Sequence, residues 1–255
     1  TEPMSRQNAP RVAVVGGGVA GLTVAMFTAR AGFDTVVVDH GESILRRNAH
    51  LENVPGFPAG VNSRLFVDLL ERQAERNGCL FEDGTVTELT PGEEGFDVRI
   101  DAEDASELSA DYVVAASWSD AAYLEELDAI GLLTRGSKTY VDTDDDGRTG
   151  LEGLYAAGRI AGAAHQAIVC AGHGAEVALT LVHDSDVPFY HDWVAPEGYF
   201  TERGREVPPG CEEIDEAERR RRERESMELM AEAFDEHHPD EPTMHPSVAE
   251  NRNGS

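Results

Sequence analysis

One stretch near the start of the chain leaves few folds open to it. Residues 11–39 read RVAVVGGGVAGLTVAMFTARAGFDTVVVD. Val12, Val14 and Val15 form a short apolar strand, and Gly16, Gly18 and Gly21 follow in the spacing G-x-G-x-x-G. Leu22, Ala25, Met26 and Ala29 then recur at helical spacing, and a second apolar strand over 35–38 ends on Asp39, 23 residues after Gly16. Strand, glycine turn, helix, strand and acid in this order make a dinucleotide-binding βαβ unit. Gly16 permits the tight turn out of the strand. Gly18 has no Cβ, so a pyrophosphate can approach the backbone, and Gly21 lets the helix pack close to the sheet. Unpaired N–H groups and the dipole at the helix start favour phosphate, and a carboxylate at Asp39 can accept bonds from ribose hydroxyls. A glycine triplet alone can be only a turn, but with all of these parts in order the reading is an α/β, Rossmann-like domain for FAD or NAD(P).

Charge narrows the partners. Acidic residues outnumber Lys and Arg 49 to 21, the formal net charge is −28, and Lys138 is the only lysine. Such a surface argues against nucleic acid and anionic membranes. The acids are spread along the chain and the apolar segments stay periodic, so the reading is a halophilic protein rather than a disordered one. At molar salt the Debye length falls to about 3 Å and the charge is screened. Cys79, Cys170 and Cys211 form no C-x-x-C pair, and a reducing cytoplasm fits. The N-terminal segment lacks the apolar core of a signal peptide, and no apolar run is long enough to span a membrane.

Further along, residues 41–60 read as a Pro/Gly-punctuated loop, followed by a helix capped by Asn62 or Ser63 and carrying Leu65, Phe66, Leu69 and Leu70 on one face. Strands near 80–81, 85–89, 96–100 and 112–116, separated by turns and one acidic loop, read as a β-meander. Residues 119–131 carry a helical pattern around Ala122, Tyr123, Leu124 and Leu127. Tyr140 to Asp142 reads as a short strand, and 144–147 as an acidic turn without the later ligands of a calcium loop. A buried strand over 154–158 precedes a small-residue helix over 163–182, in which Gly172 and Gly174 mark close packing. The domain is expected over 11–183. An aromatic strap with Tyr190, Trp193, Tyr199 and Phe200 follows, then a charged helix over 212–235. Met227, Met230, Ala231 and Phe234 form the stripe by which that helix docks on a second subunit or on its own domain. Residues 1–10 and 236–255 are expected to be disordered.

Five pieces in order resemble the low-molecular-weight thioredoxin reductases. They are VVGGGVAGL (14–22), ENVPGF (52–57), VVAAS (113–117), GRTGLEGLYAAGR (147–159) and HQAIVCAGHGAEVAL (165–179). The resemblance covers residues 11 to about 182 and implies a GR2-type FAD-binding domain with a parallel sheet and β-meander, here with a C-terminal helical extension. It implies that Gly16, Gly18, Gly21 and Asp39 hold the ADP half of FAD. It places Asn53 beside the flavin, Gly158 and Arg159 at the linker between flavin and phosphate, and Gln166 and Ala167 at the carbonyl edge of the ring. The departures are as informative. The family inserts an NADPH domain with a redox C-x-x-C between the halves of its FAD domain, whereas only 22 residues separate Ser117 from Tyr140 here. No second G-x-G-x-x-G occurs. Gly158-Arg159 replaces a Gly-Asp pair, so Arg159 either pairs with phosphate or weakens FAD. Glu42-Ser43-Ile44-Leu45 replaces a GGQL-like run. NADPH-driven disulfide reduction is therefore not expected.

His165 and Cys170 are the catalytic candidates. A solvated loop histidine is an equal reading for the first, and an inert buried thiol is the plainer one for the second. Arg46 and Arg47 read as an exposed charge pair. His237, His238 and His245 sit in a Pro-rich tail that does not supply fixed metal geometry, so no metal is expected. Three function classes stand side by side. One is an FAD oxidoreductase fed by a small thiol, a ferredoxin or a partner protein. Another is a flavin- or nucleotide-binding sensor or relic without turnover. The third, a thiazole-synthase-like enzyme, is disfavoured by ENVPGF and HQAIVCAG. A homodimer is expected. With this charge and a single lysine, self-repulsion should limit the fold at low salt. The melting temperature should rise steeply with KCl, and a curve flat from low to molar salt would refute the halophilic reading.

Overall fold

The computed structural model describes residues 9–41, 43–103, 105–244 and 248. Strand β1 (Arg11–Val15) turns at Gly16 into helix α1 (Val19–Ala31), and β2 (Asp34–Asp39) returns parallel to β1, with Val12 opposite Thr35 and Val15 opposite Val38. A 3-10 turn (Ile44–Arg47) leads to α2 (Ser63–Arg76), whose first N–H groups, on Arg64 and Leu65, donate to the cap side chain of Asn62. β3 (Leu80–Asp83) pairs with β2. β4 (Thr85–Pro91), β5 (Phe96–Asp101) and β6 (Ser106–Ala110) form a separate antiparallel sheet. β7 (Tyr112–Ala115) joins β1, and the hairpin β8 (Leu132–Arg135) and β9 (Lys138–Val141) precedes β10 (Leu154–Ala156), which lies beside β7. α3 (Ala167–Asp184) follows, then the parallel pair β11 (Trp193–Pro196) and β12 (Cys211–Ile214), and last α4 (Glu216–Ala233).

The main sheet is parallel in the order β10-β7-β1-β2-β3. Its central strands are valine-rich because both faces are covered. One core cluster joins Val12, Val14 and Val37 to Leu22, Val24, Val177 and Leu181 of the helices. The other joins Ala13, Val15 and Val113 to Val98 and Ile100 of the antiparallel sheet, whose buried positions alternate with exposed ones along β5. Gly174 sets the distance between α1 and α3, since a Cβ there would lie 2.5 Å from the Ala20 carbonyl oxygen. Gly172 has nothing within 4 Å and plays no such part.

Several local expectations change. The β-meander is β4-β5-β6. Residues 80–83 and 112–115 belong instead to the parallel sheet, and the supposed acidic loop supplies β6. β6 is polar because it is an edge strand, with Ala110 buried and Glu107 and Ser109 outward. Residues 119–131 form no helix, only a 3-10 turn at Ala122–Leu124, because Tyr123, Leu124 and Leu127 are anchors pinned into the second core cluster rather than a helical stripe. β8 had no sequence signal of its own. α3 begins at Ala167 rather than near 163. The acidic turn at 144–147 is closed by a cation from the chain itself. Arg148 donates to Asp146 at 2.7 Å and, through two nitrogens, to Asp184 at 2.6 and 2.9 Å.

The C-terminal helix meets its own chain through ion pairs and Phe234 rather than through the whole expected stripe, of which Met227 and Met230 stay exposed. Arg76 pairs with Glu225, Arg72 lies 3.5 Å from Glu232, and the Phe234 ring stands 6.3 Å from that of Phe57. Residues beyond 235 are not uniformly without structure: His238 Nε2 lies 2.8 Å from Asp68 Oδ2, with the imidazole buried. His245 and the first eight residues lie outside the described residues. No described helix is long and apolar enough to cross a membrane.

One carboxylate ties the strap together internally, while Asp192 accepts two bonds from Arg30 of α1. Glu213 accepts from the backbone N–H of Gly198 (3.0 Å), Phe200 and Thr201 (3.0 Å) and from the Thr201 hydroxyl (2.8 Å), beneath the edge-packed rings of Trp193, Tyr199 and Phe200. Desolvation alone would raise its pKa, but these donated bonds outweigh it and bring the group down to about 2. Because the folded value is depressed, the contribution is full above the ordinary glutamate range and is lost as pH falls toward about 2. In a Trp118→Phe background, Trp193 fluorescence should report strap loosening over that window. Glu213→Gln should loosen the strap at neutral pH and remove the acid dependence; an unchanged acid profile would show that another group holds it.

Candidate dinucleotide cavity

The glycines of the first turn do different work. Gly16 has φ +111°, and a Cβ there would lie 2.7 Å from the Ala116 carbonyl oxygen. A Cβ on Gly21 would lie 1.9 Å from the Gly16 carbonyl oxygen, so these two glycines close β1, β7 and α1 on one another. Gly18 faces open space, its nearest neighbour being Ser43 Oγ at 4.0 Å. It is the N-cap of α1 and no side chain caps the helix, so the first N–H groups of α1 are left for a ligand. Gly17, outside the triplet, clears Asp39, whose Oδ2 would lie 2.7 Å from a Cβ at that position and which accepts from the Gly41 N–H at 2.9 Å.

These groups open on a cavity of about 850 Å³, within the roughly 300–1,000 Å³ usual for cofactor sites. It lies beyond the carboxyl ends of β1 and β7, where strand order reverses and ligands of doubly wound sheets bind. Gly16, Gly18, Asp39, Asn53, Arg159, His165, Gln166, Ala167 and Cys170 all line it. Gly21 and Gly158 do not. Gly158, at φ +74°, would place a Cβ 2.5 Å from that of Ala20, and its N–H donates to His173 Nδ1 at 2.9 Å. It shapes the floor rather than the wall.

Elsewhere on the cavity wall, Asn53 Nδ2 donates to Gln166 Oε1 at 2.6 Å, joining two residues 113 apart in sequence. Gln166 is the N-cap of α3 and uses no side-chain cap bond, so its amide points to Asn53 instead. Arg159 donates through Nη1 to the Ala163 carbonyl (3.0 Å) and through Nη2 to the Tyr140 hydroxyl (2.8 Å), and its guanidinium lies 5.0 Å from the Tyr140 ring centre. Its buried Nε–H has no partner among the described residues. Arg46 turns away to Asp68 (2.8 Å) and Glu71 (3.1 Å), while Arg47 lines the cavity, so the two are not an exposed pair. Arg64 is 4% exposed and donates to the carbonyls of Arg46 (3.2 Å) and Asn48 (2.7 Å), fastening the loop that carries Arg47 and Asn48 along the wall.

The Cys170 thiol is buried, 3.4 Å from the Ala164 carbonyl oxygen, and burial pushes its pKa up, which suits packing rather than nucleophilic work. The His165 ring stands 4.5 Å from that of Trp118. Desolvation, with Lys138 and Arg159 nearby, lowers its pKa and keeps the imidazole neutral at pH 7. Trp118 was not anticipated. It sits just past β7 with φ +61°, the one non-glycine residue at positive φ among the described residues. Its place after a parallel strand at the sheet's switch point was the available signal.

The sequence profile of the family described as "Pyridine nucleotide-disulphide oxidoreductase" matches residues 1–174. The chain belongs to this family. Curated relatives include the thioredoxin reductases of Aquifex aeolicus, 35% identical over 77 residues (29% of this chain and 24% of that protein), and of Listeria monocytogenes, 32% identical over 85 residues (32% and 26%). The chain thus spans about a quarter of the length of these relatives. Among solved structures, the thioredoxin reductase of Gloeobacter violaceus matches with TM-score 0.59 at 15% identity, over 72% of this chain and 99% of that one. The atypical thioredoxin reductase of Desulfovibrio vulgaris Hildenborough matches at 0.55 and 19%, over 71% and 100%. These likenesses establish the fold as the Rossmann-like FAD-binding fold of thioredoxin reductases, a group whose members bind FAD.

The two kinds of glycine separate by stability. Gly21→Ala must push the helix off the Gly16 carbonyl and should cost on the order of 3 kcal/mol. Gly18→Ala meets open space at an ordinary φ and should cost less than about 1 kcal/mol. Urea unfolding at fixed KCl measures both, and equal costs would contradict the close approach at Gly21.

Proposed function

We propose that the cavity holds FAD non-covalently and that the protein is an FAD-dependent oxidoreductase whose electrons come from an outside donor, a small thiol or a redox partner protein, rather than through an NADPH domain of its own. The observation that carries this reading is that one cavity is lined both by the glycine cradle and by the Asn53–Gln166 pair. The residues suit the cofactor on three counts. Gly18 leaves a gap that a Cβ would narrow, Asp39 offers a carboxylate beside it, and Arg159 holds an unpartnered N–H on the wall. In this reading Gly16, Gly18 and the first N–H groups of α1 face the pyrophosphate and Asp39 the ribose. Arg159 meets the linker where related enzymes carry an acid, and Asn53, Gln166 and Ala167 meet the ring. Gly21 and Gly158 serve by packing.

Bound FAD would supply reversible two-electron chemistry. The chain's part is to orient it and to manage charge. The N-terminus of α3 favours negative charge at its end of the cavity, and neutral His165 offers a ring nitrogen that accepts a proton there. Cys170 takes no part. Between Ser117 and Tyr140 the described residues form one 3-10 turn and most of a hairpin, which supports the absence of a nicotinamide domain. An alignment reaching nearly the whole Gloeobacter violaceus enzyme with 72% of this chain is in keeping with two FAD half-domains joined directly.

Protein purified in molar KCl should be yellow and release FAD on denaturation. Protein that stays colourless after incubation with FAD would refute the cofactor. NADPH and NADH should leave the flavin oxidised under anaerobic stopped flow, while a panel of thiols and reduced ferredoxin identifies the donor. Rapid bleaching by either nicotinamide would refute the outside-donor reading while leaving the cofactor in place.

A further inference from the structure

Most arginines of this acidic chain are paired with carboxylates: Arg11, Arg30, Arg46, Arg76, Arg99 and Arg148 are examples. Among those left without such a partner, Arg159 lines the cavity. Lys138 and Tyr140 share a face of β9, two residues apart. Lys138 Nζ lies 4.5 Å from the centre of the Trp118 ring, and Arg135 and Arg159 lie 5.8 and 5.0 Å from that of Tyr140. Among the described residues, none of these three cations has a carboxylate within 4.0 Å, and the Arg159 Nε–H has no acceptor. Trp118, at φ +61°, is held in a costly backbone conformation that persists where surroundings over-determine it, and such residues gather at ligand sites. It lines the cavity together with Arg159 and His165. Cations left unpaired in a chain with 49 acids attract small anions locally, although Asp120 and Glu52 also line the cavity.

We propose that the part of the site formed by Trp118, Lys138 and His165 is a subsite for a small planar carboxylate, distinct from the cofactor cradle at Gly16, Gly18, Asp39 and Arg159. The carboxylate meets the Lys138 ammonium, and the planar body lies among the rings of Trp118 and His165. The ligand is the small-molecule substrate of the site, so the inference rests on the reading that the rest of the cavity holds FAD. The hairpin is what makes the subsite: β8 and β9 bring the only lysine of the chain to within 4.5 Å of the Trp118 ring, which lines the cavity.

Benzoate is the probe and benzamide its uncharged counterpart. In Trp193→Phe protein, where Trp118 is the only indole, benzoate at fixed KCl should change the fluorescence saturably and benzamide should bind far more weakly. Lys138→Gln should weaken benzoate by roughly tenfold or more, the value of a charge-assisted contact, and Lys138→Arg should retain most of the binding. Saturation that is absent, equal for benzamide, or unmoved by Lys138→Gln would overturn the subsite. FAD content is measured on the same preparations. If Lys138→Gln loses FAD together with benzoate binding, Lys138 belongs to the cofactor cradle and the proposal fails. Protein that stays colourless after incubation with FAD would remove the cofactor reading, and Lys138-dependent benzoate binding in that same protein would keep the anion site while withdrawing its role as a substrate subsite beside FAD.

Discussion

The close approach of α1 to the ends of β1 and β7 is the constraint on which the rest of this structure depends. Three glycines crowd one turn of that helix. Gly21 meets the Gly16 carbonyl, Gly174 of α3 meets the Ala20 carbonyl, and Gly158 meets the Ala20 side chain. A methyl group at any of them would separate elements that must touch, because packed interiors yield little. The contacts bring the N-termini of α1 and α3 to one cavity, so both helix dipoles act on the same ligand space. A fold that loosened here would lose the cavity before it lost its sheet.

Charge is arranged unevenly around that core. On α4, arginines pair with glutamates three and four residues away, as Arg221 does with Glu218 and Arg219 with Glu223. Such exposed pairs contribute little each, but they neutralise a helix that has no buried residue of its own. At the cavity the logic reverses. Arg64 is buried without a carboxylate and donates to backbone carbonyls, Arg159 donates to a carbonyl and a phenol, and the buried Nε–H of each has no partner among the described residues. These cations retain their field instead of cancelling it.

Much of the site was legible because it is local or ordered along the chain. The triplet, Asp39 and the piece that carries Gln166 each announce a strand end or a helix start, which the sheet brings together, whereas Asn53 lies in an irregular loop and was expected there only through the resemblance. What escaped depends on tertiary context. Gly17 matters only because Asp39 folds back across it. Trp118 matters only because its backbone is turned to positive φ beside Lys138 and His165, and nothing in the run SWSD reports that. β6 escaped because an edge strand with one buried face reads as a polar loop, and the helix expected over 119–131 was three buried anchors with accidental spacing.

The arm that follows α3 has a consequence for how the molecule breathes. Its ionic hold on α2 runs through Arg76–Glu225 and Arg72–Glu232, beside a buried His238–Asp68 hydrogen bond and one ring contact at Phe57. Ionic strength weakens attraction between exposed charges just as it weakens repulsion. Salt that relieves the crowding of acids on the sheet domain therefore slackens this clasp. Amide exchange in α4 should quicken in the same brine in which exchange in β1 and β7 slows, so that one molecule tightens at its centre while its arm lifts.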